Sequence, residues 1–159
     1  MHGLTASLGQ FAAGFDTVPP EAADVARTGI IDAVGVMLAA RNEPVVRAVS
    51  AVTLDGAAGG LSSVLLSSQR ARPADAALIN GTAAHAYAMD DVASGCHPSA
   101  VLMPAIIAEG EALGASGAQA LRAYVVGYEL LAELAAREPD PMQPKGWHPT
   151  AVLGPVAAA

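Results

Sequence analysis

A nine-residue phrase that occurs twice constrains the fold more than any other feature of this sequence. HPSAVLMPA covers residues 97–105, HPTAVLGPV covers residues 148–156, and six of the nine positions are identical. A residue that precedes proline avoids the helical conformation, so each histidine should lie on extended backbone immediately before a helix. The phrase therefore predicts two helices with matching N-termini, each preceded by an imidazole.

The other residues of the phrase suggest how these helices begin. Ser99 and Thr150 belong to the residue types that cap helices, and we expect Pro104 and Pro155 near the first turn, where a missing N–H costs little. The early amide groups and the helix dipole favour an anion at such an N-terminus. An imidazole held there could exchange protons with a bound carboxylate, although two ordinary helix starts explain the phrase equally well.

The rest of the chain is dominated by helical periodicity. The only run typical of a strand is SSVLLSS, residues 62–68, and DGAAGG, residues 55–60, is typical of a flexible turn. Ser116 and Gln119 have the spacing of a capping box. Besides the two helices of the repeated phrase, the first of which should reach Leu113, helices are predicted over residues 20–41, 44–54, 73–83 and 116–137. We therefore expect an all-α helical bundle that forms one domain over residues 1–159.

Composition excludes several classes of function. A net charge of −7 with only eight lysine and arginine residues argues against a nucleic-acid partner. No segment has the roughly 20 apolar residues of a membrane span, and the N-terminus lacks the basic region of a signal peptide, so we expect a cytoplasmic protein without a membrane partner. Cys96 is the single cysteine, which excludes an internal disulfide and a cysteine metal cluster and predicts an inert, half-buried thiol.

Histidines and carboxylates supply the candidate chemistry. His97 and His148 stand at the two repeated helix starts, and Asp90 and Asp91 precede the first. Removing a proton beside a carboxylate while protonating a departing hydroxyl needs two groups on opposite sides of the substrate, which two such histidines could supply. Asp90 and Asp91 together with His85 and His97 also permit a metal site, although we expect none because adjacent residues usually face different ways.

Three other residues are weaker candidates for substrate binding. Tyr87 is a better candidate for a pocket than Tyr124 and Tyr128, which we expect in the core. Lys145 could attract a carboxylate, although a loop lysine usually contacts only water. Trp147 directly precedes His148.

Several segments together resemble the MmgE/PrpD family, also called the 2-methylcitrate dehydratase family. They are LGQFAAGFDTVPPEAADVARTGIIDAVGVMLA, ALINGTAAHAYAMDD, HPSAVLMPAIIAEGEALGASG, VVGYEL and GWHPTAVLGPVAAA. The resemblance implies the N-terminal part of a large helical domain, truncated before a smaller lid domain. It also implies dehydration, decarboxylation or epimerisation of polycarboxylates without a metal or another cofactor.

By position, the resemblance implies a set of site residues. His97, His148 and Asp91 would be catalytic, and the residues expected to bind substrate are Asp90, Tyr87, Ser99, Lys145, Trp147 and Thr150. Two positions depart from the pattern, because Ala88 replaces a carboxylate of the usual HALDFDD and Val92 stands where a hydroxyl residue is frequent.

These departures leave two functions open. The first is a hydro-lyase subunit or fragment that acts on a 2-methylcitrate-like di- or tricarboxylate. The alternative is a non-catalytic or repurposed subunit, or an isomerase, epimerase or decarboxylase of a related acid. The apolar run GPVAAA at residues 154–159 and the greater length of family members suggest a C-terminal partner chain or a homo-oligomer.

Overall fold

Helices account for most of the protein. The computed structural model describes residues 3–55, 59–65, 67–138 and 140–159. The α-helices in these ranges are α1 (Leu4–Gly14), α2 (Pro20–Ala40), α3 (Pro44–Leu54), α4 (Pro73–His85), α5 (Pro98–Leu113), α6 (Gly117–Ala136) and α7 (Pro149–Ala157). The described part also has two strands, β1 (Ser62–Ser63) and β2 (Arg70–Ala71), and a 3-10 helix, Gln143–Lys145. The predicted all-α class is confirmed, and each predicted helix is present.

Proline determines where most of these helices begin. Helices α2, α3, α4, α5 and α7 each have a proline in the first turn. Proline is favoured at the first helical position because its φ angle is already helical and the missing N–H has no partner there in any case. Helix α6 begins differently, with the predicted capping box. Ser116 Oγ accepts a hydrogen bond from Gln119 N at 3.3 Å, and Gln119 Oε1 accepts one from Ser116 N at 2.8 Å.

The expected caps of the repeated phrase are wrong in position. His97 and His148 are themselves the cap residues, and no side chain of either caps its helix. Ser99 and Thr150 therefore lie inside the first turn. Because Pro98 and Pro149 take the first helical position, Pro104 and Pro155 fall inside α5 and α7, beyond the first turn where we expected them.

The strand-like run is much shorter than expected. Only Ser62 and Ser63 are extended in a ladder, where they pair antiparallel with Ala71 and Arg70. Val64 then starts a turn, since its carbonyl accepts hydrogen bonds from Ser67 N at 3.2 Å and Ser67 Oγ at 2.9 Å. Position 66 and residues 56–58, which belong to the predicted strand and the predicted flexible turn, lie outside the described residues.

Small residues allow α7 to pack closely against α5 and α6. A Cβ at Gly127 of α6 would lie 2.8 Å from the carbonyl oxygen of Ala157 and 2.6 Å from a methyl group of Leu102. A Cβ at Gly154 of α7 would lie 2.9 Å from a methyl group of Val101 on α5. This close packing brings the N-terminus of α7 beside that of α5, where the candidate site is formed.

Candidate active site

The two copies of the repeated phrase are joined by a hydrogen bond. The backbone N–H of His97 donates to Oγ1 of Thr150 at 2.9 Å. Thr150 is buried, so this contact is shielded from water. The threonine that was expected to cap its own helix therefore ties the start of α7 to the start of α5.

Three imidazoles lie together at this junction. His85, at the end of α4, has its ring centroid 4.5 Å from that of His97 and 6.0 Å from that of His148. Both ring pairs meet edge to face. The structure therefore brings His97 and His148 to one place through His85, which sequence reasoning did not include among the site residues.

Asp90 lies between two of these imidazoles. Its Oδ1 accepts a hydrogen bond from Nδ1 of His85 at 2.9 Å, and its Oδ2 lies 3.2 Å from Nδ1 of His97. The side chain of Asp90 is 0% exposed. A carboxylate in this position favours a proton on Nδ1 of each ring and leaves Nε2 available to accept a proton from a substrate.

The contact between Asp90 and His97 is close but is not a hydrogen bond. Asp90 Oδ2 and His97 Nδ1 are both buried, and neither has a hydrogen-bond partner among the residues that the structure describes. Their separation of 3.2 Å is short enough for a bond, so unfavourable angles rather than distance prevent it. Two buried polar atoms therefore face each other without being satisfied.

Asp91 has different neighbours from Asp90. Its Oδ1 accepts a hydrogen bond from the backbone N–H of Ser99 at 3.1 Å, and its Oδ2 accepts one from the hydroxyl of Tyr128 at 3.0 Å. The carboxylate thus lies at the N-terminus of α5, where the helix dipole favours a negative charge. Part of the site that sequence analysis assigned to a substrate anion is occupied by the protein's own carboxylate.

Two tyrosines of α6 extend this network. The hydroxyls of Tyr124 and Ser99 are 2.5 Å apart, and Tyr124 is only 2% exposed. Burial raises the pKa of Tyr124, and burial together with the charge of Asp91 raises the pKa of Tyr128 well above its ordinary value. Both phenols therefore stay protonated near neutral pH. The prediction that they are core residues omitted these polar contacts, and their i, i+4 spacing was the only signal in the sequence.

Three candidates for substrate binding make other contacts. The hydroxyl of Tyr87 donates to Glu43 at 2.6 Å. The amine of Lys145 lies 2.9 Å from a carboxylate oxygen of Glu138 and 3.5 Å from one of Asp140. Trp147 is 62% exposed. Their roles in binding stay predictions.

The cysteine is more deeply buried than expected. Cys96 is 0% exposed, whereas the sequence predicted a half-buried thiol. Burial raises the pKa of this thiol, because a thiolate would lose its hydration. Its backbone exchanges two hydrogen bonds with Ala93, at 3.0 and 2.8 Å, which hold the loop before α5. Cys96 therefore has a structural environment rather than that of a nucleophile.

An apolar groove of about 620 Å³ runs from the imidazoles along α4 and α5. His85 lines one part of the groove, and Leu78, Val101, Pro104 and Ala158 line others. Among the described helices, none has both the length and the hydropathy of a membrane span.

Comparison with known families agrees with this architecture. The model of the MmgE/PrpD N-terminal domain matches residues 6–159. The chain belongs to the MmgE/PrpD family. No curated protein matches the chain. For a member of the MmgE/PrpD family, the two departures noted in the sequence lie beside the site, since Ala88 and Val92 are both exposed and occupy the loop that carries Asp90 and Asp91.

Proposed function

We propose that this chain carries the acid/base groups of a cofactor-independent hydro-lyase that acts on a 2-methylcitrate-like di- or tricarboxylate. Membership of the MmgE/PrpD family supports a dehydratase-like relation. The observation that carries the proposal is the junction of the two repeated phrases, where His97 N bonds Thr150 Oγ1 and the rings of His97 and His148 both meet His85.

The reaction needs two proton transfers. One imidazole accepts a proton from the carbon beside a carboxylate, the electrons of that C–H bond form the C=C bond, and the C–O bond breaks. The second imidazole donates a proton to the departing hydroxyl, which leaves as water. Asp90 is a positioning residue in this scheme, because it contacts Nδ1 of His97 and leaves Nε2 directed elsewhere.

The substrate carboxylates need positive partners that the described site supplies only in part. Lys145 is already bound to Glu138 and Asp140, and Asp91 occupies amide donors at the start of α5. The chain carries a net charge of −7, which opposes the approach of an anion. We therefore expect residues from a further segment or from a partner chain, a second copy included, to complete the binding site.

Substitution of each histidine tests the assignment. His97→Gln and His148→Gln should each lower the turnover of the assembled enzyme by about 10² or more. Formation of the conjugated acid, followed by its ultraviolet absorbance, measures the rate. Glu133→Gln is the matched control, since Glu133 forms an exposed pair with Arg137 on α6 and should leave turnover unchanged. Near-normal rates in both histidine variants would refute the proposal.

Ala88 supports a second candidate, a subunit that binds polycarboxylates without dehydrating them or that catalyses another proton transfer. The methyl group of Ala88 offers no charge at a position where the family resemblance implies a carboxylate. Ala88→Asp in the assembled complex should then restore dehydration. Incorporation of deuterium from solvent at the substrate carbon without loss of water would instead indicate an isomerase or epimerase.

A further inference from the structure

We propose that His85, Asp90 and His97 form a binding site for one divalent transition-metal cation of the Zn²⁺ type. The sequence predicted no metal site, and the family resemblance implies none. The inference rests on the geometry of these three side chains and does not depend on the proposed reaction.

The three side chains present their ligand atoms to a common point. One ligand atom from each lies within 4.8 Å of the other two. Asp90 is 2.9 Å from Nδ1 of His85 and 3.2 Å from Nδ1 of His97. Zinc bonds of about 2.0–2.1 Å in tetrahedral geometry place neighbouring ligand atoms about 3.3 Å apart, close to both distances. The remaining pair can close by rotation of His85, whose side chain is 36% exposed.

The unsatisfied atoms provide an independent reason to expect a cation. Asp90 Oδ2 and His97 Nδ1 are buried, 3.2 Å apart, and without hydrogen-bond partners in the described part of the chain. A buried polar atom without a partner is costly, and the cost is greater for a carboxylate oxygen. A cation bound between the two atoms would pair with both at once, which a rotation of either side chain alone does not achieve.

The donor set favours a transition metal over Mg²⁺ or Ca²⁺. Two imidazoles and one carboxylate match the preference of Zn²⁺ for nitrogen and oxygen ligands, whereas Mg²⁺ and Ca²⁺ prefer oxygen alone. Three protein ligands leave a fourth position open, and the groove that begins at His85 gives access to it. The net charge of −7 also favours a cation over an anion in this part of the molecule.

The ligands are held in place by contacts outside the cluster. His97 is fixed through its backbone N–H by Thr150, and the two hydrogen bonds between Ala93 and Cys96 restrain the loop between Asp90 and His97. His85 belongs to the last turn of α4. Restrained ligands lose little conformational freedom on binding, which favours affinity.

Titration of the chelator-treated protein with Zn²⁺ and Co²⁺, followed by calorimetry and by the visible absorbance of Co²⁺, tests the proposal. We expect one ion per chain, with affinity lowered about tenfold or more by His85→Ala, Asp90→Asn or His97→Ala. His2→Ala and His148→Ala are the matched controls, because the chain has four histidines and these two are outside the ligand set. Absence of binding, or binding that is lost only in a control variant, would overturn the proposal.

Folding of the variants is checked by circular dichroism. Where a ligand variant fails to fold, NMR of the unsubstituted protein decides the question. Paramagnetic Co²⁺ should broaden the ring signals of His85 and His97 at the lowest added concentrations. Broadening that begins at His2 and leaves those two rings sharp would contradict the site.

Discussion

The backbone N–H of His97 donates a hydrogen bond to the side chain of Thr150, 53 residues further along the chain. This bond joins the N-termini of α5 and α7 and places the two repeated phrases side by side. The imidazoles at their starts therefore meet the same third imidazole, that of His85. The repetition in the sequence corresponds to two equivalent helix starts that build one site.

Removal of the Thr150 hydroxyl should destabilise this junction. Thr150→Val keeps the shape of the side chain but leaves the N–H of His97 without its acceptor, which should cost about 1–3 kcal/mol. The free energy of unfolding, measured by urea titration, checks the effect. Thr82→Val is the control, because the hydroxyl of Thr82 bonds only the carbonyl of Leu78 in its own helix. Equal losses in the two variants would show that the junction has no special importance.

The tyrosine network should make stability fall at alkaline pH. Burial raises the pKa of Tyr124 and Tyr128 in the folded protein, so above the ordinary value of about 10 the unfolded chain loses protons that the folded state retains. Stability is therefore fully present below pH 10 and declines as the pH rises further. Urea titrations between pH 8 and about 11 should show this decline. An equally steep decline in the double variant Tyr124→Phe/Tyr128→Phe would contradict this origin.

Glycines at two positions should respond in opposite ways to substitution by alanine. Gly127→Ala should destabilise the protein by about 1–3 kcal/mol, because its Cβ would press against Leu102 and the backbone of Ala157. Gly35 in α2 has open space around its Cβ position, so Gly35→Ala should stabilise by up to about 1 kcal/mol through helix propensity. Thermal unfolding of both variants measures the difference. A stabilising Gly127→Ala would mean that α6 and α7 are packed less closely.

Cys96 should resist thiol reagents in the folded protein. Its side chain is buried, and burial raises the pKa of the thiol, so the reactive thiolate is scarce near neutral pH. Mass spectrometry after treatment with iodoacetamide should show an unmodified chain without denaturant and one added group in urea. Rapid modification of the native protein at pH 7 would show that the loop before α5 opens readily.

Local rules in the sequence were sufficient to predict the helices. Proline in the first turn, the capping box of Ser116 and Gln119, and apolar periodicity each act within a few residues, so they can be recognised without tertiary information. The errors were also local. Ser99 and Thr150 were expected to cap because the proline before each was not assigned to the first helical position.

Tertiary structure decided which residues of the site meet. Asp90 and Asp91 are adjacent in sequence, and only the path of the backbone through the loop determines that Asp90 contacts the imidazoles and Asp91 the start of α5. That path includes left-handed residues at Ala88 and Ser94, with φ angles of 49° and 51°, which side chains other than glycine adopt rarely and sequence patterns do not reveal. His85 and Tyr128 joined the site for a related reason, since their partners lie on other segments and are chosen by packing.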